Sequence, residues 1–213
     1  MHAHFDHIGG LPEWADACRW TGKKGHVYAP VEVLQDIMKQ FPWLDNHLIY
    51  HDIGQSIDFL GWHIQPFKVC HGKNGFSYAY RFIKQRFNWV YCPDSIHLKD
   101  KEKAFLFDLQ LLVLGTSFYR EDADPKTRSV YDMVEALQLI DEIHPVQAVF
   151  THMSHGVDIT HPYLLPANVM LAKTGMEVHI SLRCPGPANI TIGKESTLRS
   201  CPSFSIPTKQ LCR

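Results

Sequence analysis

His2-Ala3-His4-Phe5-Asp6-His7-Ile8-Gly9-Gly10 places three imidazoles and a carboxylate within six residues, with two glycines directly behind them. That density of metal-ligating side chains rarely arises by chance. The H-x-H-x-D-H spacing is that of a loop leaving a strand, because ligands on a helix face fall at i, i+3 or i+4. Such a loop hangs from a strand that precedes it. The run starts at residue 2, and in this sequence nothing comes before it.

Bulk properties narrow the function classes. With 213 residues the chain can bury one substantial core. An apolar fraction of 45% and a charged fraction of 20% are those of an ordinary globular domain. The net charge of -1 supplies no basic field for nucleic acid or an anionic membrane. No apolar run approaches the ~20 residues of a membrane span. The His-rich N-terminus has no apolar core of a signal peptide, which makes the cytoplasm the default expectation. Histidine is the outlier, with 14 residues. Cys18, Cys70, Cys92, Cys184, Cys201 and Cys212 form no C-x-x-C pair, and the first three read as free buried thiols.

Working outward from the opening run, the pattern alternates helices and strands. Apolar stripes predict helices over 9–20 and 31–41 and, N-capped by Ser129, over 129–143. Strands are expected at 27–28, 48–51, 57–60, 62–70, 76–83, 87–92, 109–114, 148–150 and 176–180, and a short helix at 164–171. Residues 117–128 read as a polar loop. From about Ser181 periodicity vanishes, so 1–180 is taken as the domain and 181–213 as an irregular tail, disordered or foreign to it. Interleaved helices and strands indicate an α/β layered fold, which places its sites at strand ends.

Strand ends are where the other donors fall. His71 follows 62–70, Asp94 follows 87–92 and His152 follows 148–150. With His2, His4, Asp6 and His7 they make five imidazoles and two carboxylates, a thiolate-free set suited to Zn, Mn or Fe. Seven donors exceed one tetrahedral ion and match two ions sharing a carboxylate and a water.

The ordered set H-x-H-x-D-H-x-G-G, His71-Gly72, Asp94 and Thr151-His152 resembles the metallo-β-lactamase superfamily over residues 1 to about 180. Val27-Tyr28-Ala29-Pro30, Phe41-Pro42-Trp43, Val69-Cys70-His71-Gly72 and Phe150-Thr151-His152-Met153-Ser154-His155 look most like its phosphonate-operon cyclic phosphodiesterases. The resemblance implies an αββα sandwich, here N-terminally incomplete. It also implies a di-metal hydrolase of a phosphodiester, a small cyclic phosphate or nucleotide, working through a metal-bridging hydroxide. His2, His4 and His71 would bind one divalent ion and Asp6, His7 and His152 the second. Asp94 would bridge them, and Asp6 and Asp94 would be the catalytic carboxylates.

His155 resembles a ligand of a separate structural zinc whose cysteine partners are not in this chain. The resembled enzymes carry a His in the loop before the last long helix, whereas Arg120–Arg128 has none. Lys126, Arg128 and His155 are therefore the candidates for substrate contact. The expected partner is a small phosphodiester, with a homodimer allowed and neither membrane nor nucleic acid called for. Hydrolysis of another ester, a lactone or a thioester on the same metals is the alternative, as is a truncated, non-catalytic fragment.

Overall fold

A computed structural model describes residues 1–181 and 189–193. The chain divides into two compact units, one holding Met1–Ile57 and the other the described residues from Asp58 onward.

The first unit opens with α1 (Phe5–Ile8), a single helical turn, followed by α2 (Leu11–Thr21). Pro12 suits the first turn of α2, where its missing N–H has no partner to lose. The helix stops at Gly22, which takes the left-handed conformation (φ 65°). Strands β1 (Gly25–Ala29) and β2 (Leu48–Asp52) pair in parallel, joined through α3 (Val31–Gln40). The spacing of Val33, Leu34 and Ile37 puts all three on the buried face of α3.

The second unit is built on a seven-stranded sheet in the order β3-β4-β5-β6-β7-β8-β9. Its strands are β3 (Ile57–Phe59), β4 (Trp62–Cys70), β5 (Phe76–Lys84), β6 (Phe87–Cys92), β7 (Leu111–Gly115), β8 (Gln147–Thr151) and β9 (Val169–Leu171). The β4, β5 and β6 neighbours run antiparallel, whereas β6 through β9 are parallel. Leu111–Leu114 reads as an unbroken apolar run because it is covered on both faces. Leu112, Leu114, Val90 and Phe150 pack with Met133, Ala136 and Ile140 of α5 (Met133–Ile143), while Leu111, Val149 and Phe87 pack with Trp62, Trp89 and Met176 on the other face. A hairpin of β10 (Glu177–Ser181) and β11 (Asn189–Gly193) follows.

The architecture is the mixed α/β fold with a sheet core that the sequence indicates. Several elements differ. Phe5–Ile8 is helical where a loop was expected: His7 and Ile8 N–H both donate to the His4 carbonyl, at 3.0 and 3.1 Å. The last long helix starts at Met133, since Asp132, not Ser129, accepts from the Glu135 N–H at 2.8 Å. No helix forms over 164–171. Pro166 interrupts the segment, and Val169–Leu171 pairs in parallel with Ala148–Phe150 instead. The charged α4 (Asp100–Lys103) had no apolar stripe to announce it. The stretch Asn189–Gly193 forms β11, where the sequence shows no periodicity. The rest of the 181–213 tail lies outside the described residues. Among the described residues no helix is long and apolar enough to cross a membrane.

Candidate metal centre

In the first unit the α1 turn gathers the opening histidines. The His2 and His4 rings stand 3.8 Å apart, centroid to centroid, at 84°, and His2 and His7 4.9 Å apart at 65°. His7 Nε2 is 3.5 Å from Asp6 Oδ2, with the His7 side chain buried and Asp6 largely exposed. Gln40 of α3 donates through Nε2 to the Ala3 carbonyl at 2.6 Å, tying the run to a helix. Residues consecutive in sequence thus become a cluster of nitrogens and an oxygen.

In the second unit three donors come from the ends of β4, β6 and β8. Asp94 is 1% exposed, and its Oδ1 lies 3.3 Å from His152 Nε2. Two donors about 2.1 Å from one ion, at near-tetrahedral angles, are separated by about that same distance. His152 has φ 59°, in the left-handed region. A non-glycine residue held there marks a position the surroundings over-determine, as happens at functional sites. Gly115 at the end of β7 is needed for close approach, since a Cβ there would fall 1.6 Å from the carbonyl oxygen of Pro93.

His71 is 3% exposed, and its Nδ1 stands 2.8 Å from the Ser129 carbonyl oxygen. A carbonyl only accepts, so Nδ1 carries the proton and Nε2 the lone pair, the tautomer a metal ligand requires. Asn74 Nδ2 lies 3.2 Å from that Nε2 and donates to it. Gly72 follows with φ 54°, and a Cβ on it would meet the Arg128 carbonyl oxygen at 2.0 Å, so His-Gly is required here by geometry.

The substrate candidates separate. Lys126 is exposed, and its backbone N–H donates to Asp124 Oδ1 at 3.0 Å. His155 is exposed as well. Arg128 is not the open cation the sequence suggested: its side chain is 5% exposed, and NH1 and NH2 make a fork to Glu135 at 2.8 and 2.6 Å. Its Nε donates to Glu121 at 3.3 Å, and Asp132 lies 3.6 Å away. Hydrogen bonds to Glu135 raise the pKa of the guanidinium. Burial alone would raise the Glu135 carboxyl, but the bonds from Arg128 and the Asp132 N–H outweigh it and hold the group below its ordinary value. A guanidinium surrounded by three carboxylates has no vacant face for a phosphate. The signal in the sequence was Asp132-x-x-Glu135, a capping box that places a second acid beside Arg128.

A family model described as the beta-lactamase superfamily domain matches residues 1–153, a span that contains all seven donor positions. Solved structures of the same fold include a diphosphatase from the PhnP family, with TM-score 0.67 and 23% identity over 80% of this chain and 66% of that one. The metallo-beta-lactamase fold protein YhfI from Bacillus subtilis gives TM-score 0.67 and 18% identity over 90% of this chain and 75% of that one. Human tRNase Z, short form, gives TM-score 0.59 and 17% identity over 81% of this chain and 74% of that one. At such identities the likeness is one of fold. The chain spans about two thirds of the length of the diphosphatase (66%). No curated protein matches it.

Proposed function

We propose that this chain, which belongs to the beta-lactamase superfamily, is a di-metal hydrolase of phosphodiesters acting on a small cyclic phosphate or nucleotide. The observation that carries the reading is the buried Asp94 carboxylate held 3.3 Å from His152, with His71 on a neighbouring loop fixed in its ligating tautomer.

The donor set fits hard-to-borderline divalent ions such as Zn or Mn, and Fe as a further candidate, being nitrogen and oxygen without thiolate. His2, His4 and His71 would hold one ion, Asp6, His7 and His152 the other, and Asp94 both. A cation pair supplies an acidified water and electrostatic stabilisation of the phosphoryl oxygens.

The chain's own residues do the rest. Asp94, removed from solvent, brings the negative charge that makes a doubly cationic centre affordable in a buried place. Asp6, largely exposed beside His7, would orient the attacking water. Lys126 and His155, exposed in the second unit, would contact a substrate phosphate. The fold relatives include proteins described as a PhnP-family diphosphatase and a tRNase Z, which makes phosphoryl transfer the first chemistry to try.

The test is hydrolysis of bis-p-nitrophenyl phosphate by the protein loaded with Zn or Mn, beside a lactone and a glutathione thioester. The phosphodiester should be cleaved fastest, with the rate abolished by chelation. Faster cleavage of the lactone or thioester would move the substrate class. Failure on all three, with metal bound, would overturn the reading.

A further inference from the structure

Segment 128–131 touches two of the three loops that carry candidate donors in the second unit. The Arg128 carbonyl accepts from the Lys73 N–H at 3.1 Å, and the Ser129 carbonyl accepts from His71 Nδ1 at 2.8 Å. The Tyr131 N–H donates to the Ser95 carbonyl, next to Asp94, at 3.0 Å, and the Tyr131 hydroxyl accepts from the Leu98 N–H at 2.8 Å. The segment is thus a strap laid across the His71 and Asp94 turns, holding the His71 turn through the main-chain carbonyls of Arg128 and Ser129 and the Asp94 turn through Tyr131.

Main-chain carbonyls can orient a ligand only if their own segment is fixed. Here the fixing element is the Arg128 side chain. Its fork to Glu135 ties the strap to the first turn of α5, and its Nε reaches Glu121, which also accepts from Ser117 Oγ at 2.6 Å. Asp132 caps α5 through Oδ1 and accepts the Glu121 N–H through Oδ2 at 3.0 Å. Both ends of the strap are therefore bound to the same helix terminus by charge-assisted bonds, the strongest class available to a side chain. Lysine cannot reproduce the fork, because its ammonium is a point charge.

We propose that the Arg128–Glu135 fork is a positioning device for the metal centre: it fixes the Ser129 carbonyl, and through it the tautomer and ring orientation of His71. Arg128 acts through His71 and touches no substrate. This deepens the proposed function and rests on His71 being a ligand. The orientation of the imidazole does not depend on any metal.

Two readouts separate the levels. Long-range proton–nitrogen NMR on the metal-free protein reports which His71 nitrogen is protonated. The wild type should show the Nδ1–H form, and Arg128→Lys, which keeps the charge and loses the fork, should show a mixture of tautomers. Loading with Zn²⁺ alone should then give a Kd about 10- to 100-fold weaker in the variant, the usual cost of losing a residue that orients a ligand. Glu142→Gln, whose carboxylate pairs with Lys103 outside this network, should keep both the tautomer and the Kd. A variant with a lower melting temperature but an unchanged His71 signature and unchanged Zn²⁺ affinity would show that the network serves stability alone, and overturn the proposal. A wild type with the Nδ1–H form and no Zn²⁺ affinity would instead sink the proposed function and leave the orientation of His71 standing. If Arg128→Lys does not fold, Glu135→Gln, which weakens the same fork from the other side, carries the same expectations.

Discussion

The Asp94 carboxylate and the His152 imidazole meet at 3.3 Å, one from the end of β6 and the other from the end of β8, with β7 between those strands in the sheet. Parallel strands deliver their following loops to one edge, so residues remote in sequence become neighbours there. Asp94 is 1% exposed, so a change in its charge is little screened by solvent. Asp94→Asn keeps the shape and removes the charge. Its affinity for Zn²⁺ should fall at least about 100-fold, beyond the cost of losing an orienting residue, as read by competition with a chromogenic chelator. An affinity within a few-fold of wild type would remove Asp94 from the metal set.

His152 sits at φ 59°, where a side chain is strained and glycine is not. In the metal-free protein His152→Gly should therefore be more stable than His152→Ala by about 1 kcal/mol, measured as urea midpoints. Both should lose metal affinity alike. A His152→Ala variant more stable than His152→Gly would mean that the backbone there relaxes when the imidazole goes.

The buried network around Arg128 predicts a stability effect of definite sign. Arg128→Met would leave Glu121, Asp132 and Glu135 without their cation, and should cost about 3–5 kcal/mol. The pH dependence follows from Glu135, whose carboxyl is held below its ordinary value. A group depressed on folding stabilises above its unfolded pKa, about 4.3, and that contribution is lost as pH falls through the lower folded value. Wild type should therefore lose more stability between pH 7 and acid than Glu135→Gln does. Parallel pH profiles would contradict the assignment.

Burial pushes the Cys92 thiol up to about 11, and its Sγ sits 3.1 Å from Ser95 Oγ. Thiolate is the reactive form, so Cys92 should resist a disulfide reagent at pH 8 in the native protein and react only on unfolding. Labelling of Cys92 in the native state, located by peptide mass mapping, would show that the β6 end opens.

Much of this was legible in the sequence. Strands β4 and β6 have the limits their alternation and turn residues give, and the stripes of α2 and α3 locate those helices to within two residues at each end. Periodicity could not show α1, a single turn too short to carry a stripe, nor α4, whose residues are charged throughout. The apolar run around Pro166 reads as a short helix in sequence, and only its pairing with β8 makes Val169–Leu171 a strand. In the candidate site, residue types at strand ends single out the imidazoles and carboxylates proposed as metal donors. The role of Arg128 was missed because an arginine in a polar loop reads as solvated, and only the fold brings three carboxylates around it.

If five imidazoles and two carboxylates hold a pair of cations, counting the metal shows it most directly. Protein equilibrated with Zn²⁺ or Mn²⁺, freed of loose metal by gel filtration and analysed by mass spectrometry of the elements, should retain two ions per chain. His2→Ala/His4→Ala and His152→Ala should each lower that number. Retention of less than one tightly held ion per wild-type chain, or a count unchanged in both variants, would contradict it.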